Sequence, residues 1–393
     1  MDSHAWEQRQ LGEVAQRVTR RNLNNECSRV LTASAEAGLI DQQEYFQKRI
    51  ASHDLSHYYL LKRGDFAYNH SSSGSAALGI IKRLEAYDFG CLSTLYIIFH
   101  PKHGIDSDYL LHYFESSAWH GDVAGMVTEG ARNHGLLNIS PDTFFTARCS
   151  FPSLPEQRRI GKFFTIFDSL IAAAERQEAL LRQKKQAYLQ LMFPQEGETE
   201  PRLRFAGFSG EWSRRQLGEL ITEHKETVDS HCTLPILTSS KTEGITLQEE
   251  HFGHKQSHDI AGYNVVPRGY CTYRNRSDDM DFTFNVNNYC DKGIISKFYP
   301  VFRGNGNDTL FISLVLNHCE EVLREIGYTC TGTGQRVLAF SDLQMMRIPI
   351  PTHAEQQKVA KFFEIFDSLI VATEQRTESL RALKSAYLQR MFV

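Results

Sequence analysis

The chain repeats itself. Residues 155–171, PEQRRIGKFFTIFDSLI, return as residues 354–370, AEQQKVAKFFEIFDSLI. Glu156, Lys162 and Asp168 stand opposite Glu355, Lys361 and Asp367, a constant shift of 199 positions (355 less 156, 361 less 162, 367 less 168). The shift still holds at Ala187-Tyr188-Leu189-Gln190 against Ala386-Tyr387-Leu388-Gln389, and at Met192-Phe193 against Met391-Phe392. Each copy begins on a second echo: Trp6 with Gln10-Leu11-Gly12-Glu13 returns as Trp212 with Gln216-Leu217-Gly218-Glu219. Between these anchors the match thins to landmarks. Arg63, Gly64 and Tyr68 answer Arg268, Gly269 and Tyr273, and Gly90, Ser93, Tyr96 and Phe99 answer Gly293, Ser296, Tyr299 and Phe302. A duplication of this kind constrains the fold more than any single motif, because each half must be one structural unit used twice.

Each half is a variable region followed by a nearly constant arm, and the arms predict long helices. Ser153 to Glu156 and Thr352 to Glu355 have the spacing of a capping box, with Pro155 in a first-turn place. Sevens run through Ile160, Phe167, Ala174, Leu181 and Tyr188, and again through Val359, Phe366, Thr373, Leu380 and Tyr387. Phe163, Leu170 and Leu191, with Phe362, Leu369 and Leu383, fill intermediate places. Glu156 to Met192 is 37 residues, about 55 Å at about 1.5 Å per residue. Two matching seams in one chain predict an antiparallel coiled-coil pair, with Ile160, Phe167, Leu181 and Tyr188 of one arm and Val359, Phe366, Leu380 and Tyr387 of the other as pairing residues. The variable regions are different. Leu95 to Phe99 and Ile294 to Tyr299 predict strands, and Tyr109 to Phe114 and Thr309 to Leu316 short helices. The fold class is therefore α/β (α+β): two β-rich domains alternating with two long helices in a pseudo-twofold tandem repeat. The boundaries are 1–151, 152–194, 195–350 (whose first residues, 195–211, link the halves) and 351–393.

Composition excludes some classes. No run nears the roughly 18 apolar residues of a membrane span, and the opening MDSHAWEQRQ lacks a signal core, so a cytoplasmic location without membrane is expected. The 8 cysteines include no C-x-x-C pair and predict reduced thiols. With 43 Lys and Arg against 47 Asp and Glu, any nucleic-acid face must be a local patch. Catalytic signatures are missing: there is no Pro-Pro pair for a methyltransferase base loop and no G-x-x-x-x-G-K-[ST] loop. His251, His254 and His258, or His53 and His57, lack the companion ligands of a metal site. No catalytic residue, metal or cofactor of the chain's own is expected.

Several motifs together resemble the specificity subunit of type I restriction–modification enzymes. They are P-x-L-R-F-x-G-F-x-G-E-W at Pro201 to Trp212, Pro-x-x-x-Glu-Gln at Pro152 to Gln157 and Pro351 to Gln356, and Phe-Asp-Ser-Leu-Ile in both arms. Gly64 to Asn69 and Gly269 to Arg274 resemble segments of the family's target-recognition domains, so the likeness covers essentially the whole chain. Before Trp6 stand only Met1 to Ala5, a shorter lead-in than the one before Trp212. The resemblance implies a non-catalytic subunit that binds double-stranded DNA, each variable domain reading half of a bipartite asymmetric site while the helices set the spacer. It also implies two methyltransferase subunits carrying S-adenosylmethionine, and motor-nuclease subunits using ATP and Mg in the restriction form. The competing classes are a self-contained nuclease or methyltransferase with its own active site, and a coiled-coil adaptor. Base readout needs side chains that bond base edges, and the segments that diverge between halves supply them: Asn69, His70, Ser71 and Ser72 stand opposite Arg274, Asn275 and Arg276, and Arg132 and Asn133 stand near the place of Thr333, Gln335 and Arg336. These are the candidate DNA-binding residues.

Overall fold

The computed structural model describes residues 6–48, 54–71, 77–127, 137–254, 259–278, 282–332 and 335–392. The chain divides into two compact units, Met1–Arg176 with Glu374–Val393, and Gln177–Thr373. Each arm is one 39-residue helix, Leu154–Met192 and His353–Met391. Each unit thus contains one variable region, the first part of the arm that follows it and the last part of the other arm.

Both units have the same topology. In the first, a four-stranded antiparallel sheet runs in the order Ala15–Arg17, Ile97–Pro101, Phe66–Asn69, Ile80–Arg83. In the second the order is Ile221–His224, Val301–Gly304, Cys271–Thr272, Asn285–Val286. Three further two-stranded ribbons recur: Glu7–Gln10 with Arg148–Phe151 and Ser213–Gln216 with Arg347–Ile350; Leu31–Ser34 with Gly38–Asp41 and Leu237–Ser240 with Gly244–Leu247; Tyr59–Lys62 with Phe89–Leu92 and Asn264–Pro267 with Lys292–Ile295. The expected strands at Leu95 and at Ser296 to Tyr299 are turns instead, closed by Tyr96 N to Ser93 O at 3.1 Å and Tyr299 N to Ser296 O at 2.9 Å. The shared Gly90 and Gly293 now have a cause. A Cβ at either would collide with the side chain of Leu31 or Leu237, which crosses there. Gly293→Ala is therefore expected to destabilise the second unit by about 1–3 kcal/mol, read as a lower urea midpoint for that unit.

The arm ends are plugs. Phe392 packs in the first core against Tyr109, Tyr113 and Phe164, with centroids 5.4, 5.8 and 5.7 Å away. Phe193 does the same in the second, at 6.0 Å from Trp212, 5.8 Å from Phe311 and 6.1 Å from Phe363. Burying such a ring contributes about 1.5–3 kcal/mol, which explains why the Met-Phe ends stay identical in both copies. The arm starts are latched by buried amides. Gln157 Nε2 donates to Pro152 O at 2.9 Å and its Oε1 accepts from Asp106 N at 3.0 Å. Gln356 repeats both bonds, to Pro351 O and from Asp308 N, each at 3.0 Å. Asp106 and Asp308 cap the short helices Ser107–Glu115 and Thr309–His318, so one glutamine ties each arm to its own unit.

Among the described residues the capping boxes are not made. Ser153 and Thr352 contribute carbonyl oxygens to the first turns, and Glu355 faces elsewhere. It is 1% exposed and takes a fork from Arg204, with Nε to Oε1 at 2.8 Å and Nη2 to Oε2 at 2.7 Å.

Within each unit the arm segments run antiparallel. In the first, Phe163 and Phe167 meet Tyr387 at 5.2 and 5.9 Å, and Lys384 Nζ reaches Asp168 Oδ1 at 2.5 Å. In the second, Tyr188 meets Phe362 and Phe366 at 5.1 and 5.6 Å, and Lys185 Nζ reaches Asp367 Oδ1 at 2.5 Å. Each ion pair is the image of the other under the repeat. Ile160 and Val359 belong to the domain cores, while Leu181 and Leu380 are half-buried. The intermediate seam places need correction. Leu170, Leu191, Leu369 and Leu383 are 41, 38, 46 and 46% exposed. The inward places lie one residue on, at Phe164, Ile171, Glu178, Lys185 and Met192 and at Phe363, Ile370, Thr377, Lys384 and Met391, all buried or half-buried. Several of them are polar, so apolar spacing alone selects the wrong neighbour.

Candidate nucleic-acid interface

Two segments of the second unit, separated by some sixty residues in sequence, form one ribbon: Arg276 pairs with Val337 and Ser277 with Arg336. The ribbon is anchored below by Leu338 N to Asn275 O at 3.0 Å and Tyr273 Oη to Leu338 O at 3.0 Å. Arg274, Asn275, Arg276, Gln335 and Arg336 are thereby brought together. Gln335 Nε2 donates to Asp278 at 3.4 Å. Asn275 Oδ1 is buried and has no hydrogen-bond partner among the described residues. Arg276 stacks 4.5 Å above the Phe298 ring, and Lys297 lies 5.7 Å from it.

The charge here is local. Arg204, Arg214, Arg215, Arg268 and Arg324 of the same unit all sit on carboxylates. Arg274, Arg276, Lys297 and Arg336 pair with no carboxylate among the described residues. A chain of formal charge −4 thus presents a patch of uncompensated cations, as an anionic backbone requires. Lys297 and Phe298 were missed in the sequence; the signal was the retained Ser296 and Tyr299, which bracket them.

The first unit builds the same ribbon base with different chemistry. Leu137 N donates to His70 O at 2.9 Å, as Leu338 does to Asn275. His70 is not a free reader, however. Its Nδ1 lies 2.8 Å from Leu137 O and its Nε2 2.6 Å from Leu95 O, so the ring is wedged between two backbone carbonyls of the loop and donates to one of them. Asn69 ends a strand, and its Oδ1 accepts from Ser71 N at 3.2 Å. Ser72, Arg132, Asn133 and Thr333 lie outside the described residues, as do His53 and His258.

One cluster of metal-ligand type exists among the described residues: His112, Glu115 and Asp168. It does not fit a cation. Lys384 Nζ already stands 2.8 Å from Glu115 and 2.5 Å from Asp168, and His112 Nδ1 is 2.9 Å from Glu115. Burial pushes the Glu115 carboxyl up, but His112 and the Lys384 ammonium outweigh it and hold it at about 2. In the second unit burial drives His318 down to about 4, with Lys185 adding to the fall and Asp367 opposing it. These are helix-pairing clusters. Of the other histidines, His251 bonds Glu243 at 2.7 Å and His254 bonds Phe252 O at 2.9 Å.

No helix among the described residues is long and apolar enough to cross a membrane. No curated protein matches the chain in sequence. Among solved structures, it is similar to the S subunit of a type I restriction-modification system from M. genitalium, at 11% identity and a TM-score of 0.57, over 100% of this chain and 98% of that one. It is also similar to the HsdS subunit from Thermoanaerobacter tengcongensis, at 16% identity and a TM-score of 0.46, over 99% and 97% of the two chains. A chain from a study of complex assembly and conformational transition of the type I R-M system aligns at 17% identity and a TM-score of 0.49, over 98% and 97%. Residues 211–382 match the family model described as type I restriction modification DNA specificity domain. The chain thus has the fold of the M. genitalium S subunit, and its segment 211–382, which contains the arginine ribbon, matches the type I restriction modification DNA specificity domain.

Proposed function

We propose that the chain is the specificity subunit of a type I restriction–modification enzyme, reading a bipartite, asymmetric site in double-stranded DNA. One observation carries this. The same fold occurs twice with its scaffold kept and its readout segment changed, around Asn69 in one unit and Arg274-Asn275-Arg276 in the other. Two unlike readers on one frame suit two unlike half-sites. The chain itself is non-catalytic in this reading; S-adenosylmethionine, ATP and Mg belong to partner subunits, and the complex works in the cytoplasm.

The arms supply the docking faces for two methyltransferase subunits. Ile166 and Leu170 are 51 and 41% exposed, and their repeats Ile365 and Leu369 are 49 and 46% exposed. Each pair is spaced i, i+4 on one helix face. An identical apolar pair kept bare in both copies suits two copies of one partner.

The test is reconstitution. The purified chain alone should transfer no methyl groups and cut no DNA, and adding its methyltransferase partner should produce methylation at a split motif. Replacing Ile166 and Leu170 with Glu should abolish capture of one methyltransferase copy. Arg336→Ala should lower DNA affinity by roughly five- to a hundredfold if it bonds a base edge, and evenly across sequences if it bonds phosphate. Methyl transfer by the chain alone would sink the reading.

A further inference from the structure

The second unit has a concavity of about 510 Å³ beside the arginine ribbon, lined among others by Gln248, Phe252, Tyr263, Arg274, Phe298 and Tyr299. That volume falls within the range of about 300–1,000 Å³ typical of small-molecule sites. Most of the residues of its walls recur at the matching positions of the first unit, although the variable regions otherwise share little. Gln248 and Phe252 of the short helix Gln248–Phe252 answer Gln42 and Phe46 of Gln42–Phe46. Tyr263 answers Tyr58: the carbonyls of both accept from the segment ahead, Val228 N at 3.0 Å and Asn22 N at 3.0 Å. Tyr299 answers Tyr96 in the matching turns. Exposure is kept as well as identity, since Phe46 is 42% and Phe252 46% exposed. Three lining positions differ, one of them only by the apolar exchange of Ile295 for Leu92. Arg274 stands where the first unit has Asn69, and Phe298 where it has Leu95.

We propose that each unit holds a pocket for one unstacked nucleobase, whose shared aromatic walls take the ring faces while the one variable polar wall, Asn69 or Arg274, reads the ring edge. The inference rests on the DNA-reading function proposed above. The physical argument turns on what is shared and what varies. All bases have a π-face, and stacking on an aromatic side chain is tolerant of sequence. They differ at their edges, where Arg selects the O6 and N7 acceptors of guanine and Asn the N6 and N7 pair of adenine. Inside a duplex both faces of a base are covered, so a base using these walls must leave the stack. Arg274 is free for the task, having no carboxylate partner among the described residues. It also lies near the Tyr299 phenol: burial raises that group and the guanidinium opposes the rise. In the first unit Asn69 gives its Oδ1 to Ser71 N, and its amide nitrogen has no partner among the described residues.

The full-length chain should be titrated with each of the four deoxynucleoside monophosphates by ligand-observed NMR, and then with its specific duplex carrying 2-aminopurine at successive positions. Guanine monophosphate should bind best to the second unit, and Arg274→Asn should turn that preference toward adenine. Phe252→Ala should weaken binding by at least about fivefold, the size of one lost stack. Phe252→Leu and a melting curve guard against misfolding. On the duplex, 2-aminopurine fluorescence should rise at one position per half-site, and Phe252→Ala should cancel the rise in the second. If sequence-specific binding persists while neither variant changes monophosphate binding or fluorescence, the pocket is refuted and the DNA-reading function stands. If the variants keep DNA binding but lose the methyltransferase, the pocket is a protein-docking site and the proposal is overturned. If the wild-type chain with its partner binds no specific DNA, the reading of function has failed, and the monophosphate arm still decides the pocket.

Discussion

On the function proposed above, with the arms as spacer, four residues inserted after Ala174 together with four after Thr373 are expected to lengthen the methylated motif by about two base pairs and to leave both half-sites unchanged. Four helical residues add about 6 Å at about 1.5 Å each, and stacked base pairs rise about 3.4 Å. They also turn the helix by slightly more than one revolution, so the downstream segment keeps nearly its original facing. Ala174 and Thr373 are buried helix positions close to where the chain divides into its two units. The insertions leave the pairs Asp168–Lys384 and Lys185–Asp367 intact within their own units. Four residues in one arm alone should instead put its seam out of step with its partner and weaken pairing. Mapping methylated adenines in a host carrying the variant and its methyltransferase measures the spacer directly. An unaltered spacer, or altered half-sites, would show that the arms do not measure the DNA.

Arg204→Ala is expected to be among the most damaging single substitutions in the second unit. Arg204 and Glu355 side chains are only 12 and 2% exposed and meet as a two-pronged fork. Removing one partner of such a pair leaves a buried charge and costs about 3–5 kcal/mol. For a unit of this size that is a fall of roughly 6–20 °C in melting temperature. Glu355→Gln with Arg204 retained should cost less, because the amide oxygen still accepts from the guanidinium. Replacing both with Met and Leu should recover much of the loss, since well-packed apolar pairs of similar size often match buried ion pairs. A double variant as unstable as the single one would mean that the segment Arg202 to Phe205 is held by something other than this pair. Phe205 on Phe362 at 5.7 Å is the first alternative.

Some of the frame was legible in the residues, and the reason is locality. Repetition needs no structure to be seen, and helix periodicity is written within a few turns, so the doubled frame and both arms followed from spacing alone. The positions Phe167, Tyr188, Phe366 and Tyr387, seven apart and aromatic, were found because hydrophobic sevens mark one face. Companion positions such as Lys185 and Lys384 were not, because they are polar and resemble a solvent face until Asp367 and Asp168 are in place. His70 was a plausible reader in sequence, yet its two nitrogens meet the carbonyls of Leu95 and Leu137, one of them 67 positions away.

The doubled architecture could therefore be read from the residues without coordinates: two variable β-rich regions, two long helices and the antiparallel sense of their pairing. Those are properties of periodicity and repetition, carried by neighbours along the chain. Long-range packing alone settled that each unit is closed by the tail of the other arm, with Phe392 in the first core and Phe193 in the second. Packing also settled that Glu355 answers Arg204 across 151 positions rather than capping its own helix, and that Arg274 to Arg276 join Gln335 and Arg336 in one ribbon. In each case the deciding energy is the burial of a charge, a ring or a backbone group against a partner far away in the chain, and no local pattern records which partner that is.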